Sequence, residues 1–189
     1  MQAFVNLLHC PDLKTENRPP SRNRINAILQ RLGLPDDRYY ALVTPEELEI
    51  EALKKEIVSC NALKCVEEGF DKISRLEKIA KPDDQITQQF ILRSKVLLGG
   101  LDKRYSNDER IQMLLQAIRM TIPDFQLDKI EDFLFTLDEM KLVNQIGNAY
   151  SLSGDNEKSS RYFLSTASIY KKASSGNGYF KQDASFGFV

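Results

Sequence analysis

Residues 146–163 read Ile146-Gly147-Asn148-Ala149-Tyr150-Ser151-Leu152-Ser153-Gly154-Asp155-Asn156-Glu157-Lys158-Ser159-Ser160-Arg161-Tyr162-Phe163, and their spacing decides the fold. Ser153-Gly154-Asp155 splits two helical stretches. Leu142, Ile146 and Tyr150 line the first stretch; Tyr162, Phe163 and Ala167 sit in the second. Gly147 and Ser159 are small where the two helices cross closely, and Tyr150 and Phe163 fill the gaps beside them. Such a hairpin cannot cover its own apolar face, so it must stack on a neighbour.

The neighbours lie upstream. Thr136-Leu137-Asp138-Glu139 is a capping box that opens this last pair. Ser106-Asn107-Asp108-Glu109 is another, followed by the apolar face Ile111, Leu114, Leu115 and Ile118 and closed by Pro123. Before it, Ile86, Phe90, Ile91 and Leu97 mark a helix expected to break at Gly99-Gly100. The first pair starts at Thr44-Pro45-Glu46-Glu47, with Thr44 as cap and Pro45 in the first helical position. Its first helix turns Leu48, Leu53 and Ile57 inward; its second turns Val66, Phe70, Ile73, Leu76 and Ala80 inward and ends by Pro82. A short helical stretch at about 127–135 links the second and third pairs. No segment alternates with period two between hairpin turns, so no sheet is expected. Pair starts fall roughly 30–45 residues apart, which suggests a repeat architecture.

Composition agrees with a folded helical chain. Apolar residues make up 42% and charged residues 28%, which argues against general disorder. The net charge of −1 means that any nucleic-acid contact must come from a local patch. No run of about 18 apolar residues is present, so no membrane span is expected. Met1–His9 lacks the basic and long apolar regions of a signal peptide, and a cytoplasmic location follows as the default.

Two flanking segments differ. In residues 11–43 a polar turn, Arg18-Pro19-Pro20, precedes a short helix that Ser21 caps. Ile25, Ile28, Leu29 and Leu32 form its apolar stripe, Gly33 and Pro35 stop it, and Tyr39, Tyr40, Leu42 and Val43 pack along the next connection. After Lys172, Ala173-Ser174-Ser175-Gly176-Asn177-Gly178 reads as a flexible stretch. Tyr179, Phe180, Phe186 and Phe188 follow without helical spacing. Two readings fit this tail, a disordered end and a segment docked on the last hairpin.

Catalysis finds no support in these residues. His9 is the sole histidine and has no evident partner, and Gly99-Gly100 lacks the lysine and strand of a phosphate loop. The acidic residues sit in first turns and on exposed faces, where they favour helices. Cys10, Cys60 and Cys65 are too few and odd in number for a disulfide framework. Cys60 and Cys65 read as small core residues; the rival reading, a zinc site, lacks its remaining ligands. No cofactor or metal is expected.

Ile146-Gly147, Tyr150, Gly154, Ser159 and Phe163 resemble the tetratricopeptide pattern: leucine-glycine, tyrosine, a turn glycine, a small residue, an aromatic. The segment Glu16-Asn17-Arg18-Pro19-Pro20-Ser21 through Leu32-Gly33-Leu34 resembles the second half of a Cro-type (Xre-family) helix-turn-helix domain. Glu16-Asn17 matches the end of the recognition helix without its usual glycine. Arg18-Pro19-Pro20-Ser21 matches the following turn with one residue fewer. Ile25, Leu29, Leu32 and Gly33 match the core of the next helix. Residues 44–172 are similar to the tetratricopeptide-like sensor half of Gram-positive regulators, including the peptide-pheromone-responsive ones. Ile122-Pro123-Asp124-Phe125 through Asn144-Gln145-Ile146-Gly147-Asn148-Ala149-Tyr150 carries much of that likeness.

The resemblance implies an all-α chain, a right-handed stack of antiparallel helical hairpins preceded by a partial helix-turn-helix domain. The divisions are 1–43 for the DNA-binding piece, 44–172 for the repeats and 173–189 for the tail. Only eleven residues precede Asp12, too few for the family's scaffold and recognition helices, so the likeness implies a truncated domain without base readout. Lys14, Arg18, Ser21, Arg22 and Arg24 are then the DNA-contacting candidates, with the basic side chains placed on phosphate. Basic residues exceed acidic ones only slightly over residues 1–40, so these arginines also fit plain solvated surface. In tetratricopeptide stacks the first helix of each hairpin lines a ligand groove. That places Gln88, Gln89, Arg93, Asn144, Gln145 and Asn148 as peptide-binding candidates, because paired amide donors and acceptors hold an extended backbone. The expected activity is regulation of transcription by a protein that binds a peptide or protein partner and forms a homodimer through its terminal helices. The other expectation is a scaffold that binds protein or peptide and never DNA.

Overall fold

The computed structural model describes residues 22–33 and 44–175. Within them every regular element is helical. Helix α1 spans Arg22–Arg31, α2 Pro45–Leu63, α3 Val66–Ile79, α4 Gln85–Leu101, α5 Asn107–Thr121, α6 Leu137–Ser153 and α7 Asn156–Ser175. The stretch expected to be helical at 127–135 is a shorter 3₁₀ helix, Leu127–Asp132, kinked at Lys129. Residues 34–43, with Tyr39, Tyr40, Leu42 and Val43, lie outside the described residues, as do the Arg18–Ser21 turn, His9, Cys10 and the tail from Gly176.

All three capping boxes form. Thr44, Ser106 and Thr136 each accept the amide of the glutamate three residues on, and each glutamate accepts the cap amide in return. This local exchange satisfies donors that no helix can pair internally. Gly154 closes α6 at φ 87°, a left-handed conformation that costs a glycine nothing, and its amide returns to the Ser151 and Tyr150 carbonyls.

From α2 onward each helix packs most closely on the helices next to it in sequence. Helix α4 serves two cores. Its Ile91 and Leu98 join Ile50, Leu53, Ile57, Ile73 and Leu76. Its Val96 joins Leu114, Ile118, Phe125, Leu142 and Ile146 in the larger core. Between α5 and α6, Phe125, Phe133 and Phe135 pack as a trio with ring centroids 6.1–6.4 Å apart.

Four sequence expectations change. Leu48 is 61% exposed; the inward stripe of α2 is Ile50, Leu53, Ile57 and Cys60. Helix α2 packs on α3 and, more lightly, on α4, and that side takes Ile50, Leu53, Ile57 and Cys60. Gly99-Gly100 does not break α4, which runs on to Leu101. Gly99 instead admits the Tyr105 ring, since a Cβ there would stand 2.4 Å from Tyr105 Cε2. In α7, Phe163 and Ala167 face out, while Ser159, Tyr162 and Thr166 are buried. Phe163 still borders Gly147 by its ring edge. Finally, α7 continues to Ser175, past the boundary drawn at Lys172 from composition.

Candidate functional site

The polar side chains of α4 and α6 meet on one face. Arg93 Nε donates to Gln145 Oε1 at 3.2 Å, and its Nη1 lies 3.3 Å from Asp138 Oδ1. Asp138, Lys141, Gln145 and Asn148 recur at helical spacing along α6, which sets them on one stripe. Burial pushes the Arg93 guanidinium below its ordinary pKa, against the pull of Asp138. A guanidinium stays charged at neutral pH regardless. Burial pushes the Asp138 carboxyl up, but Lys141, Arg93 and the more distant Lys54 outweigh it, so its pKa lies below the ordinary value. The face is therefore charged, with cations from α2, α4 and α6 around one carboxylate.

The peptide-binding candidates separate into two groups. Gln89 is buried and donates to the Ala117 carbonyl at 3.0 Å and to Thr121 Oγ1 at 2.7 Å, which ties α4 to α5. Gln88 turns back to the Lys81 carbonyl at 3.2 Å. Arg93 and Gln145 hold each other across the face. Asn144 is half-buried and Asn148 exposed on α6, both beside that pair in the helical order.

Of the DNA-contacting candidates, Lys14, Arg18 and Ser21 lie outside the described residues. Arg22 begins α1, and Arg24 donates from Nη2 to the Asp83 carbonyl at 2.9 Å.

Sequence reasoning missed Arg31 and Glu139. Glu139 was legible as a capping residue, and its Oε2 does accept the Thr136 amide at 2.7 Å. Its Oε1 accepts from Arg31 Nη2, and the carboxylate is 1% exposed. A buried carboxylate needs such a partner. The two residues are 108 positions apart, so no local pattern links them.

Two depressions open to solvent elsewhere. One, about 430 Å³, is lined by Gln112, Gln116, Arg119 and Met120. The other, about 230 Å³, lies beside Cys60 and Cys65, where burial holds the Cys60 thiol above its ordinary pKa. Among the described residues no three His, Cys, Asp or Glu side chains converge as a metal site would require. No described helix is long and apolar enough to cross a membrane.

Set against known proteins, the chain matches no family model, no curated protein and no solved structure.

Proposed function

We propose that this chain is a tetratricopeptide-like helical-repeat protein whose α4–α6 face binds a peptide or a segment of a partner protein. The observation that supports it is the polar link from Arg93 to Gln145 and Asp138, which joins the first helices of two successive hairpins beside the exposed Asn148. Paired amides and a half-buried guanidinium suit an extended backbone and an acidic group on the ligand. On this reading the hairpins form a right-handed stack, the face is its inner surface, and the chain performs no catalysis.

The second reading is a regulator of the Xre type that also meets DNA and pairs with a second copy through its terminal helices. It is favoured by the Glu16–Gly33 likeness, in which the segment after the turn is helical as α1.

One binding panel tests both. A random peptide library displayed on phage is selected against the full chain, and the consensus peptide is synthesised for titration. Arg93→Ala and Asn148→Ala should weaken its affinity at least tenfold with the helical circular-dichroism signal intact; unchanged affinity in both variants refutes the face. In the same panel, gel shifts with the promoter of the chain's own operon at about 50 and 200 mM salt should show binding that weakens steeply with salt if phosphate contacts survive. Absence of salt-sensitive binding to any duplex removes the regulator reading and leaves the first intact.

A further inference from the structure

We propose that Cys60 and Cys65 are a redox-active thiol pair, set by the turn between α2 and α3 to close into a disulfide when a small uncharged peroxide enters the depression beside them. The proposal is independent of the α4–α6 face.

The turn itself brings the two residues together. Lys64 stands at φ 58° and ψ 29°, a left-handed conformation that ends α2. Its amide donates to the Asn61 carbonyl at 3.3 Å, and the Cys65 amide donates to the Cys60 carbonyl at 2.9 Å. Those two bonds define a Schellman motif whose first and last residues are Cys60 and Cys65. Side chains at these two positions frequently meet in an apolar contact. Here both are free thiols. With standard backbone lengths, the 2.9 Å bond holds the two Cα atoms within about 6.8 Å of each other, inside the span that a disulfide bridges.

The two sulfurs differ in access. Cys60 is 5% exposed and packs beside Gly69, where a Cβ would stand 3.3 Å from Cys60 Cβ. Cys65 is half-buried, and its Sγ lies 3.8 Å from the Leu63 carbonyl. Both line the same open depression of about 230 Å³. Lys72 Nζ there pairs with Glu56 at 2.7 Å and with Glu68 at 3.2 Å. With Lys55, the lining holds two cations and two anions, so it favours no charged oxidant. Burial first, then Glu68, hold the Cys60 thiol above its ordinary pKa; Cys65 adds to the rise, and Lys72 opposes it. The more accessible Cys65 is therefore the attacking sulfur, and Cys60 resolves.

The chemistry balances with the peroxide as oxidant. Cys65 loses its proton to water, and the thiolate attacks one peroxide oxygen. The O–O bond breaks, Cys65 becomes a sulfenic acid, and the departing oxygen takes up a proton. The Cys60 sulfur then attacks the sulfenic sulfur. The S–S bond forms, and hydroxide leaves with the Cys60 proton as water. Two thiols are oxidised and one peroxide is reduced. A dithiol reductant reverses the link by exchange.

Trypsin separates the cysteines at Lys64, so peptides 56–64 and 65–72 stay joined only through sulfur. A full-length Cys10→Ser chain is reduced, given one equivalent of hydrogen peroxide, blocked with N-ethylmaleimide and digested. The joined peptides should outnumber those with Cys65 oxidised alone at least tenfold. Sulfinic acid at Cys65 beside a maleimide-blocked Cys60 overturns the pair. Adding Cys60→Ser should leave a sulfenic acid at Cys65 that dimedone traps; no trapping refutes Cys65 as the attacking sulfur. In mixtures of reduced and oxidised glutathione, the native Cys10→Ser chain should close the link with an equilibrium constant at least tenfold above that of the urea-unfolded chain. Equal constants show that the turn does not set the pair, and overturn the proposal even if the Cys60→Ser chain fails to fold.

Discussion

Phe125→Ala lowers the thermal midpoint by roughly 6–20 °C, because losing a buried phenylalanine costs about 3–5 kcal/mol and each kcal/mol moves a domain of this size about 2–4 °C. Phe125 is 2% exposed and packs against both Phe133 and Phe135. The trio fills the space between α5 and α6, where the chain is a 3₁₀ stretch flanked by extended residues. Those short connections have no helical ladder to hold them, so their position depends on the rings. Removing this ring leaves a cavity in the cluster that holds Ile130 and Phe135, next to the Thr136 cap. Circular dichroism at 222 nm during heating measures the shift, and a change below about 2 °C contradicts this account of the larger core.

Gly147→Val destabilises the chain by about 1–3 kcal/mol, the usual cost of forcing extra methyl groups into a packed crossing. A Cβ at Gly147 would stand 3.1 Å from Tyr162 Cβ and 3.3 Å from the Phe163 ring. The ring can turn, but Tyr162 Cβ is fixed to the α7 backbone, so α7 must move away from α6. The helix-propensity gain from replacing glycine is below about 1 kcal/mol and does not reverse the sign. The displacement reaches the stacked Tyr150 and Tyr162 rings, whose centroids are 5.6 Å apart. Urea unfolding followed by tyrosine near-ultraviolet dichroism reports both effects. Gly147→Ala should fall between the two, and a valine variant as stable as the native chain would show that α6 and α7 do not cross there.

How much of this was legible depends on range. The boxes at Thr44, Ser106 and Thr136 were readable because cap and glutamate are three residues apart. Gly147 and Ser159 were readable because a close crossing admits little else. Leu48 was misread because a helix surface with two apolar stripes does not say which one has a neighbour. Gly99 was misread as a helix break because its contact is with Tyr105, beyond the helix end. The phenylalanine trio was invisible, since rings outside regular elements obey no period. At the candidate site, the tetratricopeptide likeness singled out Arg93, Gln145 and Asn148 on α4 and α6 but did not tell them from Gln89, whose amide is consumed between α4 and α5. The Arg31–Glu139 contact joins residues that only the folded chain brings together.

The central claim is that a ligand lies across α4 and α6. Hydrogen exchange of the full chain, with and without the phage-selected peptide, tests it most directly. Slower exchange concentrated in residues 88–96 and 138–148 is the predicted result. Protection confined to α7 or to the outer side of α5, with those two segments unchanged, contradicts it.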